Sequence, residues 1–338
     1  MANISRREFS RAGLTAVTAL AARPERAAPA AQATRANAYR YIHLDVFTDR
    51  RLQGNQLFVF VQPAGLDADA MQTLTRESNL SECTFVFPPE AAGTDHRVRI
   101  FTRTAETPFA GHPTIGTAFA LAHAGVLKPG AARTVFGLGV GPTNVDLEWK
   151  DGTLAFAWMT QLKPTFGKAI TDGGAVASAL GLEATASAAR SGVPAGQEVN
   201  CGSNFFIVPL ATRKAVDAAV LDRAKVEAMF AAAGIQRRGI YAFSTERGGD
   251  DATAYSRLLG TGGIEDPATG SAAGPAGSFV AKYGLAPANG DVSIVFLQGV
   301  LVKRPSRIHV RIGASGGEIT SVKVGGPAVV VGEGTMGV

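Results

Sequence analysis

Apolar residues recur along the chain in short runs and alternations rather than in long helical stripes. Tyr41–Thr48 and Gln56–Gln62 read as strands joined through the turn pair Gly54-Asn55. Asp67 is placed to cap a helix running to about Ser78, because Met71 and Leu74 share one face at helical spacing. Cys83–Phe87 and Arg97–Thr102 again read as strands, and a small-residue stretch led by Pro113 predicts a helix to about Ala124. Strands follow near Thr134–Phe136, Thr143–Trp149 and Thr153–Met159. Helical patterns lie near 173–181 and 222–233, with strands near Phe205–Val208, Gly239–Ser244 and Ala254–Leu259. A second proline-led helix covers about Ala268–Tyr283, and strands close the chain through Val331. Strands in runs, with only occasional helices between them, predict an α+β fold of mostly antiparallel sheet. Gly137-Leu138-Gly139-Val140-Gly141 lacks the Gly-x-Gly-x-x-Gly spacing of a dinucleotide site and reads as a turn between strands.

Two segments echo one another. His112-Pro113-Thr114-Ile115-Gly116-Thr117-Ala118 can be laid on Asp266-Pro267-Ala268-Thr269-Gly270-Ser271-Ala272, with Pro, Gly and Ala in register and Thr117 against Ser271. Such a repeat predicts two similar domains, residues 40–150 and 151–331. Each block would open a helix, with proline in the first turn and His112 or Asp266 at the N-cap. Gly116 and Gly270 would let a ligand or a neighbouring backbone approach, while Thr117 and Ser271 add hydroxyls. Helix N-termini gather unpaired N–H groups and partial positive charge, so two of them in one cleft would hold a small anion. Asp266 also reads as a plain helix cap, whereas His112 is a poor cap and reads better as a functional group.

Asn79-Leu80-Ser81-Glu82 puts a carboxylate at the entrance to an apolar strand. Partial burial there would raise its proton affinity, which suits a group that must accept a proton and return it. An exposed glutamate at a strand start is the alternative.

Charge narrows the partners. The chain of 338 residues has 33 basic and 28 acidic side chains, but residues 1–35 hold six arginines against Glu8 and Glu25. The remainder is close to neutral, which argues against nucleic acid. No apolar run is long enough for a membrane span. Ser5-Arg6-Arg7-Glu8-Phe9, followed by the mildly apolar Ala12–Ala22 and the small residues near Ala31-Gln32-Ala33, is similar to a twin-arginine export signal. A periplasmic or exported protein is expected from it, or a cytoplasmic one if the leader does not function. Cys83 and Cys201 are too few for a disulfide framework, and the five histidines show no metal-ligand spacing, so no metal site is expected.

Asp45-Val46-Phe47-Thr48, Gly54-Asn55, Asn79-Leu80-Ser81-Glu82, Pro108-Phe109-Ala110-Gly111-His112-Pro113 and Glu265-Asp266-Pro267-Ala268-Thr269-Gly270-Ser271-Ala272 together resemble the motif series of the PhzF-like isomerase family. Gln298-Gly299 and Arg304-Pro305-Ser306 extend the likeness, which covers roughly residues 41–331. The resemblance implies the diaminopimelate epimerase fold: two pseudo-symmetric domains, each a mostly antiparallel sheet rolled around a central helix. It implies a homodimer that shifts a proton on a small carboxylate-bearing substrate in the cleft between the domains, with no cofactor. Glu82 matches the family's general base and acid, with His112 and Asp266 beside it as catalytic residues and Asn55, Gly111, Thr269, Gly270 and Ser271 around the substrate. Related epimerases carry a cysteine at each helix tip; here His112 and Asp266 hold those positions, which disfavours two-thiol racemisation. Gln56, Arg103 and Thr107 depart from the family's usual Pro, Pro and Leu and bear on which substrate is taken. Two other readings stay open: an epimerase or racemase of a small amino or hydroxy acid, and a binding protein without chemistry.

Overall fold

A computed structural model of the chain describes residues 38–236, 238–260, 265–286 and 291–338. The leader at 1–35 lies outside the described residues. The described residues form one compact unit.

The first half of this unit runs through β1 (Ala38–Val46), β2 (Asn55–Val61), α1 (Ala68–Ser78), β3 (Glu82–Phe87) and β4 (His96–Thr102). It continues through the short β5 (Glu106–Thr107), α2 (Gly111–His123), β6 (Arg133–Leu138), β7 (Gly141–Lys150) and β8 (Thr153–Gln161). The second half opens with β9 (Thr165–Ile170), α3 (Gly173–Ala179), β10 (Gly196–Asn200), β11 (Asn204–Pro209), α4 (Arg213–Ala218) and α5 (Arg223–Ala233). β12 (Ile240–Ser244), β13 (Ala254–Leu259), α6 (Gly270–Lys282), β14 (Val292–Gln298), β15 (Ser306–Ser315) and β16 (Glu318–Gly326) follow. The last strand, β17 (Ala328–Gly337), returns to pair with β1.

Strand pairing repeats between the halves. β1 and β2 are antiparallel, β2 and β3 parallel, β3 and β4 antiparallel, β4 and β6 parallel, and β6, β7 and β8 antiparallel. β10 to β16 follow the same alternation, with β11–β12 and β13–β14 as the parallel pairs. Parallel neighbours cannot be joined by a tight turn and need a crossover, and a helix makes each one here. α1 and the α4–α5 pair are the first crossover in each half; α2 and α6 are the second. β8 pairs with β16 and makes the two halves one continuous sheet.

α2 and α6 are buried almost throughout because their residues are small and apolar, and one shared core packs around both. Satellite clusters form where α1 covers Phe60, Phe85 and Phe101, and where α3, α4 and α5 cover Phe206, Val208 and Ala242. Asp67 caps α1 as the spacing predicts, its carboxylate accepting from the Ala70 amide at 2.8 Å. β9, β10 and α4 have no counterpart in the hydrophobic pattern. β9 is an edge strand that exposes most of its residues, and β10 opens with Gly196, whose Cα the Phe206 ring covers. Neither arrangement leaves an alternating signature.

The echo takes a different register from the one the sequence suggests. Each long helix has 13 residues and starts at glycine, so Gly111 corresponds to Gly270 and His112 to Ser271. The N-caps are Ala110 and Thr269, not His112 and Asp266. Gly116 and Thr117 are therefore core residues. A Cβ on Gly116 would lie 2.5 Å from Leu57, and the Thr117 hydroxyl sits 3.0 Å from that of Thr84.

Phe47 leaves β1 in the left-handed region (φ 64), fully buried, with its ring against the Cα atoms of Gly270 and Gly326. Removing a buried aromatic ring leaves a cavity the surroundings close only in part. Phe47→Ala is expected to lower unfolding free energy by about 3 kcal/mol, read as a fall in the urea midpoint at unchanged slope.

Candidate active site

The tips of α2 and α6 touch. A Cβ on Gly111 would stand 2.5 Å from the Ser271 amide nitrogen and 2.6 Å from Gly270 Cα, so the two first turns meet backbone to backbone. Neither N-cap side chain bonds to its helix, which leaves the first-turn amides without a side-chain acceptor.

Four elements deliver polar groups to this junction. Asn55 opens β2, Glu82 opens β3, His112 is the second residue of α2, and Asp266 lies in the segment leading into α6. Asn79 ends α1 in the left-handed conformation (φ 54), and this turn sets Glu82 at the strand entrance. The Asn55 amide nitrogen lies 2.6 Å from Asp266 Oδ1, 2.9 Å from the Ala268 carbonyl oxygen and 3.0 Å from His112 Nδ1. The amide donates to the two oxygens, and the imidazole nitrogen closes against the same group. Glu82 Oε2 stands 3.4 Å from the same His112 nitrogen, while His112 Nε2 is buried without a partner among the described residues. Thr269 donates its hydroxyl to Asp266 Oδ2 at 2.7 Å. A cavity of about 500 Å³ opens here, lined by Asn55, Glu82, Asp266, Thr269 and Ser271 among others.

Burial decides the protonation states. It pushes the Glu82 carboxyl up to about 8, with the nearby Asp266 charge adding to the effect. Burial also lifts Asp266 to about 6, held back by bonds from Thr269, Asn55 and the Ala268 amide. Desolvation drops His112 to about 3, against an opposing backbone contact at Gln56, so the imidazole is neutral at neutral pH. The site at pH 7 combines a protonated Glu82, a neutral His112 and a largely ionised Asp266. Cys83 and Cys201 are buried away from the tips, pushed by burial to about 11 and about 12, and are not thiolates.

Glu82, His112, Asp266, Asn55, Thr269 and Ser271 gather here, with Gly111 and Gly270 as the contact itself, whereas Gly116 and Thr117, expected beside the ligand, lie in the core. Gln298 is the participant that residue chemistry did not single out. Fully buried at the end of β14, it donates to the Asp266 carbonyl at 2.8 Å and the Thr269 hydroxyl at 2.9 Å. Its own oxygen accepts from the Thr269 amide and from Tyr241, both at 3.1 Å. The signal was its place in the Gln298-Gly299 motif, which by itself carries no chemistry. Arg304 ties the other side, donating to the Gly54 and Gln53 carbonyls at 2.7 Å and pairing with buried Asp45.

Residues 44–334 match the family model of the phenazine biosynthesis-like proteins, PhzC-PhzF. The chain belongs to this family. It is 35% identical to an uncharacterised isomerase of Mesorhizobium japonicum, over 88% of this chain and 98% of that one. It is 33% identical to the trans-2,3-dihydro-3-hydroxyanthranilate isomerase of Pseudomonas aeruginosa, with the same coverage of both chains. The crystal structure of a PhzF-family protein from Bacillus anthracis superposes with a TM-score of 0.77 at 23% identity, covering 89% of this chain and all of that one. The fold is the diaminopimelate epimerase-like α+β fold, and the protein is an isomerase of the PhzF family.

The raised proton affinity of Glu82 makes a stability prediction with a definite sign. Between 4.5 and about 8 the carboxyl ionises in the unfolded chain but not in the folded one, so its contribution to stability is lost as pH rises through that window. Glu82→Gln is expected to melt at a higher temperature than wild type near about pH 9, with the gap closing toward about pH 4. Thermal unfolding followed across that range checks it.

Proposed function

We propose that this PhzF-family isomerase moves a proton between two carbon atoms of a small carboxylate-bearing substrate, with Glu82 as base and then acid and no cofactor. The observation that carries the reading is Glu82 itself: a cavity-lining carboxyl lifted to about 8, beside a neutral imidazole and two uncapped helix tips.

In this mechanism the substrate carboxylate rests on the first-turn amides of α2 and α6, where peptide dipoles favour negative charge and the backbone is bare. Ionised Glu82 takes a proton from the substrate carbon. Burial and Asp266 make the protonated form stable, so the proton is held rather than lost to water. Returning it to a different carbon completes the isomerisation. Neutral His112 and the Asn55 amide orient Glu82 and Asp266 without adding charge, and Gln298 holds the Asp266–Thr269 turn in place. Asp266, with its own raised affinity, gives a specific reason to weigh epimerisation as a second reading, with the proton returned by Asp266 from the other side. Solvent deuterium separates the two: isomerisation moves the double bond, whereas epimerisation labels one carbon and inverts it. Export directed by the leader, and a homodimer, complete the proposal.

The substrate named for the Pseudomonas relative, trans-2,3-dihydro-3-hydroxyanthranilate, and a panel of small cyclic carboxylic acids are the compounds to screen for deuterium uptake. With any that turns over, Glu82→Gln is expected to bind it yet lose at least ~10²-fold in turnover. Near-normal turnover in that variant overturns the assignment. Because the base must be ionised, kcat/KM is expected to climb with pH, levelling only near about 8. Asp266→Asn should move that limb to lower pH by removing the neighbouring charge, as a pH–rate profile of the variant would read.

A further inference from the structure

The lining of the cavity also carries a cation that the proton chemistry leaves unused. Arg103 lines the same cavity as Glu82 from the turn between β4 and β5. It directly follows Thr102, the cross-strand partner of Glu82, so its backbone stands one residue beyond the catalytic carboxyl's neighbour. The turn is tightly held. The Thr102 hydroxyl receives the Thr104 amide at 3.2 Å and the Ala105 amide at 3.0 Å, and Gln72 on α1 donates to the Thr102 carbonyl at 2.7 Å.

The other charges at this rim are spoken for. Arg304 is engaged by Asp45 and two backbone carbonyls, and Glu265 forms a bidentate pair with Arg257. Arg103 makes a long contact of 3.4 Å from Nη1 to Asn79 Oδ1 and has no acidic partner among the described residues. It does not serve Glu82 either, whose proton affinity is set by burial and Asp266. A guanidinium offers a planar fork matched to a carboxylate. A substrate with one carboxylate, seated on the helix tips, would leave this fork empty.

We propose that Arg103 binds a second carboxylate of the substrate, so that the chain acts on small dianionic molecules, held by the helix tips at one end and by Arg103 at the other. This rests on the reading of the tips as a carboxylate seat. Proton transfer at the carbon between the two ends then falls beside Glu82. Arg103 is exposed, so its contribution is screened by salt and is expected to discriminate by about tenfold rather than by many decades.

Calorimetric titration of the full chain tests this with compounds that need no turnover. Phthalate, isophthalate and terephthalate present two carboxylates at three separations and are compared with benzoate; flexible glutarate is compared with butyrate. At least one dicarboxylate should bind wild type about tenfold more tightly than its monocarboxylate, with the advantage shrinking as salt is added. The advantage, a ratio measured within each variant and so insensitive to general loss of folded protein, should vanish in Arg103→Met and return in part in Arg103→Lys, whose ammonium keeps charge without the fork. Benzoate binding with no dicarboxylate advantage, or an advantage that survives Arg103→Met, overturns the proposal and leaves the isomerase reading standing. Failure of every monocarboxylate and dicarboxylate to bind overturns the helix-tip seat, and the proposal with it.

Discussion

The first turns of α2 and α6 meet at Gly111 and Gly270-Ser271, and this approach is possible because no side chain stands between the two backbones. A single methyl group at Gly111 would collide with peptide atoms that have nowhere to move, since both helices are locked into one core. Contact at the tips concentrates two sets of uncapped amides in one place. It also draws the strand entrances bearing Asn55 and Glu82 and the segment bearing Asp266 around the same point.

Gathering carboxyl groups in so confined a space has an electrostatic cost that the protein does not cancel with a cation. Among the described residues no lysine or arginine pairs with Glu82; its close polar neighbour is an imidazole that burial keeps neutral. Desolvation therefore raises its proton affinity toward neutrality, and Asp266 raises it further. Elsewhere the chain treats buried acids in the opposite way: Asp45 is paired with Arg304. The contrast between a neutralised carboxylate that holds the fold and an unneutralised one at the cavity separates structural from chemical roles better than residue type does.

Uncharged amides carry the load around these groups. Asn55 spans from β2 to both His112 and the Asp266–Ala268 segment, and Gln298 fastens Asp266 and Thr269 from below. An amide can donate and accept without a charge of its own, so it orients neighbouring acids while leaving their proton affinities to be set by burial. Charged residues in these places would have moved Glu82 out of the range in which it can both take and give a proton.

Much of this was written in local sequence. Alternating apolar residues announced most strands, Asp67 announced the start of α1, and the motifs around Glu82, His112 and Asp266 named the residues that meet at the site. Such signals survive in one dimension because they depend on near neighbours: periodicity, a cap, a turn glycine. β9 was silent because an edge strand that exposes most of its residues shows no apolar alternation, and β10 because its opening glycine is covered by Phe206 of the neighbouring strand. The helix register also lies beyond local sequence, since proline marks where a helix can begin while the backbone contact at Gly111 and Gly270 selects where it does. Residue types alone determined that a carboxylate, a histidine and an aspartate were available for proton chemistry. Only the packed halves decided their protonation, because desolvation is a property of everything that surrounds a group and no stretch of sequence contains it.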